Sequence, residues 1–309
     1  MTVPLLDVIL GYDCNLACDY CTITPAMRTR ALTTGDVVRA LRAGRGDGYD
    51  RVSFTGGEPT IRGDLIGLVR HARGLGYQGV KVQSNGLVLA HAGNVARLLD
   101  AGCDDVHVSI HTHEPAAYDA LVRRPGSHGA MVAALDHLVA AGVALTADVI
   151  VKTDTVPRLV DAVRWLHGRG VAAVDLWFVS LTDGNRANVA SMPRMTEALP
   201  AMRAALTWGA AAGMRMRSLH VPRCLLGDAA GFAFDPGADD VRVVTPEATF
   251  ELRHSKLTGQ RHVPACDGCP HRAACPGVRA DYLDRYGDAE LAAARGQAPA
   301  RPPTRLPLA

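Results

Sequence analysis

Six short β-rich runs, at 5–10, 51–54, 80–83, 106–111, 145–151 and 173–179, alternate with helical patterns at 34–43, 62–74, 90–101, 127–141, 156–168 and 195–212. A strand that pairs parallel with its predecessor needs a crossover of about a dozen residues or more, and a helix supplies it. Repeated βα alternation therefore predicts one parallel sheet covered by helices, an α/β fold. Several helical runs end in glycine, as in GLG at 74–76, AAG at 140–142 and GRG at 168–170, where a left-handed residue closes a helix. Six units fall short of the eight that close a TIM barrel. The expectation for 1–213 is an open, partial (β/α)6 TIM-like barrel.

Past residue 213 the pattern changes. Strand-like pieces stand at 214–219, 241–244 and 249–252, the last two reading as a hairpin, and clustered cysteines follow. A small cysteine-rich unit is expected over 214–290. The Pro-rich stretch at the end, within 291–309, reads as disordered. The chain has 309 residues, 48% of them hydrophobic, with a net charge of +2. No basic run marks a nucleic-acid partner. The N-terminus lacks the basic region of a signal peptide, and the longest apolar stretch is broken by Asp136, His137 and Asp148, so no membrane partner is expected. A cytoplasmic protein with eight cysteines uses them for metal ligation sooner than for disulfides.

Three of those cysteines, Cys14, Cys18 and Cys21, are spaced C-x₃-C-x₂-C in GYDCNLACDYC, directly after the first strand. Iron–sulfur clusters normally take four thiolates, so a three-cysteine site leaves one iron open. Structural zinc would need a fourth ligand from elsewhere. The second strand ends in SFTGGEPT, a tight turn at the end where parallel α/β folds bind ligands. The third ends in QSNG and the fourth in VSIHTH. In this order the four motifs resemble those of the radical S-adenosylmethionine (radical SAM) enzymes, whose usual fold is the partial barrel. The resemblance implies a [4Fe–4S] cluster at Cys14, Cys18 and Cys21, with the amino and carboxylate groups of SAM on the open iron. It implies that Gly56, Gly57 and Glu58 hold the methionine end of SAM. It also implies that Ser84, Asn85 and Ser109 face its carboxylate or ribose, and that Tyr20 lies near the adenine. Packing of Tyr20 over the cysteine loop is the alternative.

His113 and Lys152 fall at strand ends facing the expected cavity and are candidates for proton transfer or substrate contact; for Lys152 a solvated strand end is the alternative. His111 reads as structural, beside the cluster. Cys103 reads as a small buried residue. A second group, Cys266, Cys269 and Cys275, is spaced C-x₂-C-x₅-C, with Cys224 upstream in VPRCLLG. Four thiolates suit a zinc knuckle or an iron–sulfur cluster. The region resembles the auxiliary-cluster domains of the SPASM and Twitch subfamilies, with cysteines for one auxiliary cluster only. Cys224 is its least secure ligand, and His254 a remote substitute.

The family's reaction would be reductive cleavage of SAM to a 5′-deoxyadenosyl radical that abstracts a substrate hydrogen atom. An auxiliary [4Fe–4S] cluster would then take an electron, making a net oxidation or bond formation on a small molecule, such as a natural product or cofactor precursor. The chain as given starts at strand one with no winged-helix leader-binding unit ahead of it, which leans away from the alternative, a peptide maturase working with a separate leader-binding partner. A flavodoxin- or ferredoxin-type electron donor is implied. A non-catalytic iron–sulfur or zinc protein would need neither GGEP nor QSNG.

Overall fold

A computed structural model describes residues 4–234, 240–254, 259–273 and 275–294. Seven parallel strands follow one another: β1 (Leu5–Ile9), β2 (Arg51–Thr55), β3 (Gly79–Ser84), β4 (Asp105–Ser109), β5 (Ala144–Val151), β6 (Ala173–Phe178) and β7 (Arg215–Leu219). Their order in the sheet is their order in the chain, and the sheet is open. On the far side of β1 lies β8 (Val241–Val244), parallel to it, and β9 (Thr249–Glu251) closes an antiparallel hairpin onto β8. The open α/β architecture is as expected. The sheet, however, runs on past residue 213 at both edges, because β7 hydrogen-bonds to β6 and β8 to β1.

The crossovers carry α1 (Thr34–Gly46), α2 (Leu65–Gly74), α3 (Ala92–Asp100), α4 (Pro115–Val122), α5 (Ser127–Ala140), α6 (Leu159–Gly168) and α7 (Met195–Ala211). Local chemistry sets their starts. Thr33 caps α1 through a reciprocal bond with Asp36, and Pro115 opens α4, where a missing N–H costs nothing. The helix α4, short and absent from the periodic pattern, precedes α5 on the same crossover. Two further helices, α8 (Ala280–Tyr286) and α9 (Ala289–Ala294), follow the cysteines. Residues 291–294 of the expected Pro-rich tail thus complete α9; 295–309 lie outside the described residues. Among the described residues no helix is long and apolar enough to cross a membrane.

Alternation along the strands separates two faces. Leu6, Val8, Val52, Phe54, Val80, Val82, Val106, Val108, Ala147 and Val149 are fully buried against the helices. The other positions carry Asp7, Ser53, Lys81, His107, Asp148, Asp175 and Arg217; Asp7, Ser53, Lys81 and Asp105 are partners in register from β1 to β4, and Ser109, Asp148, Asp175 and Arg217 from β4 to β7. The inner face is therefore polar, and the β-strand ends open onto it.

Candidate functional site

Cys14, Cys18 and Cys21 lie on the long connection between β1 and α1. Arg28 reaches back to donate to the carbonyls of Cys14 (2.9 Å) and Leu16 (2.7 Å). The Asp19 N–H donates to the Leu121 carbonyl of α4 at 2.9 Å, and the Asn188 side-chain amide donates to the Asp19 carbonyl at 2.9 Å. The loop is thus held from α4 and from the segment after β6 as well as from within.

The GGEP turn is zipped onto this loop. Gly57 N–H donates to the Gly11 carbonyl (2.9 Å) and Glu58 N–H to the Asp13 carbonyl (2.8 Å). Gly56 has φ 134°, and a Cβ on Gly56 or Gly57 would collide with the carbonyl oxygen of Gly11 or Asp13 respectively. Only glycine permits that approach. The carbonyls of Gly56 and Gly57 accept no hydrogen bond from the described residues, leaving two acceptors at the strand end. The buried Glu58 carboxylate takes the Thr60 N–H (3.0 Å), the Thr60 hydroxyl, the Ser84 hydroxyl (2.8 Å) and the Asn85 N–H (2.7 Å). Burial pushes its pKa up and these donors pull it back. Glu58 and Ser84 thus bind each other, and together they fasten the end of β2 to the end of β3. Asn85 faces the cysteine loop: its amide donates to Asn15 Oδ1 (2.7 Å) and lies 3.8 Å from Cys14 Sγ. Ser109 closes β4 on the inner face, opposite Asp148 in register.

The donor set suits a cationic core. Burial raises the pKa of Cys14 and, with the charges of Cys21 and Cys14 adding to it, pushes Cys18 up to about 12. A cationic centre beside Cys14 and Cys18 would favour the thiolates that their burial opposes. A cleft of about 630 Å³ opens on Cys18 and Cys21, lined also by Ile23, Arg28 and Asn188. Cys18 and Cys21 beside an open cleft, with Cys14 on the same loop, fit a cluster with one iron left free.

Tyr20 stands inside this loop with its hydroxyl 2.5 Å from His111 Nε2; burial and the neighbouring Cys18 and Cys21 hold its pKa well above the usual phenol value. Burial and then the Lys152 charge push His111 down to about 3. Lys152 is not a solvated strand end. Its ammonium is buried and donates to Asp19 (2.8 Å) and Asp154 (2.8 Å), tying β5 to the cysteine loop. His113 accepts through its carbonyl from His128 Nε2 (3.0 Å), and its own Nδ1 is buried without a partner. Cys103 is buried, with its pKa pushed up to about 12 by that burial.

Sequence motifs did not mark the inner face. There Trp177 Nε1 donates to Asp148 Oδ1 (3.0 Å), His107 Nδ1 lies 3.4 Å from the same oxygen, and Arg217 Nε donates to Asp175 (2.8 Å). Period-two alternation in DVHVS, TADVI, AVDLW and RMRSL puts at least one charged residue among the inward positions of each run. That is the signal a strand with one solvated face would leave.

The C-terminal cysteines also converge. Cys224, on the connection after β7, shares one tight pocket with Cys266, Cys269 and Cys275. Burial and the charges of those three push its pKa up to about 11. His254 does not line that pocket. Four thiolates fit a closed cluster or zinc.

The family model described as the radical SAM superfamily matches residues 8–166, just over half the chain. Molybdenum cofactor biosynthesis protein 1 of Mus musculus is 35% identical over 133 residues, 41% of this chain and 20% of that protein. The probable GTP 3′,8-cyclase of Methanopyrus kandleri is 34% identical over 161 residues, 50% of this chain and 51% of that one. The chain thus spans between a fifth and a half of these curated relatives. Among solved structures, Streptococcus suis SuiB bound to SAM superposes with a TM-score of 0.67 at 13% identity, covering 92% of this chain and 75% of SuiB. The anSMEcpe protein with bound SAM and a peptide gives 0.67 at 14%, covering 94% and 98%. At those identities the likeness is one of fold.

Proposed function

The chain belongs to the radical SAM superfamily, and from that premise we propose an enzyme that oxidises, or forms a bond within, a small polar molecule with help from an auxiliary iron–sulfur cluster. With a [4Fe–4S] cluster and SAM bound, the site would supply a 5′-deoxyadenosyl radical able to take a hydrogen atom from an unactivated C–H bond. The chain's own part is placement. Cys14, Cys18 and Cys21 would hold the cluster on a loop fixed by Arg28, Asn188 and Lys152. The free carbonyls of Gly56 and Gly57 suit the SAM ammonium, and Glu58 serves by fixing that turn. Asn85 and Ser109 would face the carboxylate or ribose and Tyr20 the adenine edge of the site, while His113 is a candidate for substrate contact.

The observation that carries the oxidative reading is the convergence of Cys224, Cys266, Cys269 and Cys275 on one pocket, in a region resembling SPASM and Twitch domains. The charged inner face, with Lys81, His107, Asp148, Asp175 and Arg217, favours a polar small molecule, in keeping with the GTP 3′,8-cyclase named among the relatives. A peptide substrate is the second reading, supported by the peptide bound to anSMEcpe. The reducing electron would come from a flavodoxin- or ferredoxin-type donor. Anaerobic reconstitution tests the two-cluster reading. Wild type should hold about eight irons, and a Cys14/Cys18/Cys21→Ala variant about four. About four irons falling to none would leave the C-terminal cysteines to zinc and end the auxiliary role.

A further inference from the structure

We infer that Asp148 anchors a protonated amine of the substrate, holding one positive charge on the polar inner face of the sheet. The inference deepens the proposed function and rests on its reading of that face as the substrate chamber.

Asp148 sits at an inward position of β5, between its register partners Ser109 on β4 and Asp175 on β6. The face is not sealed: Asp7, Lys81, Ser109, Trp177 and Arg217 along it are only partly buried. The Asp148 side chain itself is 5% exposed. Its Oδ1 takes the Trp177 Nε1–H at 3.0 Å and lies 3.4 Å from His107 Nδ1. Its Oδ2 is buried with no hydrogen-bond partner. A buried carboxylate oxygen without a donor carries its full desolvation cost, and a bound donor removes that cost.

Charge decides the class of ligand. His107, Asp148 and Asp175 bring one donor atom each within 4.8 Å of one another, a set that a divalent ion could also use. Asp175, however, is already matched. Arg217 holds both its oxygens, with Nε donating at 2.8 Å, and Arg215 lies 3.7 Å from it. Lys152, the next cation along β5, is paired with Asp19 and Asp154. Among the described residues no Lys or Arg forms an ion pair with Asp148; its basic neighbour is His107. The face is therefore short of a single positive charge at this point. A dication would leave surplus charge in a buried setting, and a neutral donor would leave the carboxylate unmatched. An ammonium group matches the charge and brings three N–H donors. The substrate class is a polar small molecule carrying a primary amine.

The chain's three tryptophans give three indole N–H signals in ¹H–¹⁵N NMR, and Trp177→Phe identifies the one that bonds Asp148. The test follows that signal in the anaerobically reconstituted full chain as methylammonium chloride is added. A saturable shift is expected, half complete at about 10 mM or above because so small a ligand binds weakly. Tetramethylammonium chloride at equal ionic strength, charged but without an N–H, should shift it about tenfold less. Asp148→Asn should abolish the methylammonium shift. No shift in wild type, an equal shift from tetramethylammonium, or a shift retained in Asp148→Asn overturns the proposal. Selective broadening of the Trp177 signal by micromolar Mn²⁺ also overturns it, by giving the three residues to a divalent ion. Melting curves read the site without a ligand. Asp148→Asn removes an unmatched charge and should leave the melting temperature unchanged or higher, whereas Asp175→Asn strands Arg217 and should lower it by about 4 °C. A fall in Asp148→Asn as large as in Asp175→Asn marks a structural carboxylate and overturns the anchor. Release of 5′-deoxyadenosine separates the two readings. SAM cleavage without an amine response sinks the anchor alone; an amine response in a chain that leaves SAM intact keeps Asp148 as an amine site and sinks the radical reading.

Discussion

Lys152→Met should loosen the loop that carries Cys18 and Cys21. The Lys152 side chain is 4% exposed and its ammonium lies 2.8 Å from both Asp19 and Asp154. Asp154 is 58% exposed and can solvate itself. The Asp19 side chain is only 25% exposed, and its Oδ1 already lacks a partner. Removing one member of a buried pair costs roughly 3–5 kcal/mol, because a charge is left behind. Partial solvation of Asp19 reduces that to about 2–3 kcal/mol. At roughly 2 °C per kcal/mol for a large domain, the melting temperature of metal-free protein should fall by about 4–6 °C. Circular dichroism melts read the loss, and iron uptake on reconstitution should fall alongside it. The double variant Asp19→Asn/Lys152→Met removes the stranded charge and should recover at least half of the loss. An unchanged melting temperature in Lys152→Met, or a double variant as unstable as the single, would refute the reasoning. Intact stability with lost turnover would return Lys152 to proton transfer.

Three further outcomes follow from the site. Gly57→Ala pushes a methyl into the Asp13 carbonyl and should cost about 1–3 kcal/mol or more, with iron loading impaired; Gly63→Ala, in open space, should not impair loading. Cys224→Ser should remove about four irons per chain while sparing the EPR signal that responds to SAM; loss of that signal instead would place Cys224 with the first site. In metal-free protein the pKa of Cys18, near 12 against an ordinary 9.0, means the folded state keeps a proton that the unfolded state releases above pH 9. Stability should therefore decline as pH rises from 9 towards 12, and iodoacetamide labelling of Cys18 should stay slow until that range; fast labelling at pH 8 would contradict the assignment.

The repeat of strand, helix and glycine was enough to specify the open sheet, since each apolar strand face needs a covering helix and parallel neighbours need crossovers. The same pattern placed 214–219 beyond the barrel. RMRSL carries charge at alternate positions and follows no cysteine motif, and only its pairing with β6 reveals it as a seventh parallel strand. Helix α4 stayed hidden because eight residues show barely two turns of periodicity, yet its Leu121 carbonyl anchors the cysteine loop. Spacing made Cys14, Cys18 and Cys21 legible. It did not reveal what Glu58 binds, because Ser84 and Asn85 meet Glu58 only through the lateral order of β2 and β3. For the same reason Lys152 could be read as solvated: its partner Asp19 lies 133 residues away. Motifs name residues; which of them satisfy one another is decided by the sheet.

The most direct test is the release of 5′-deoxyadenosine from SAM by reconstituted, dithionite-reduced protein, measured by chromatography and mass spectrometry. The account predicts 5′-deoxyadenosine from wild type and none above background from the Cys14/Cys18/Cys21→Ala variant. Iron-loaded wild type that leaves SAM intact, or equal release from the variant, would contradict it.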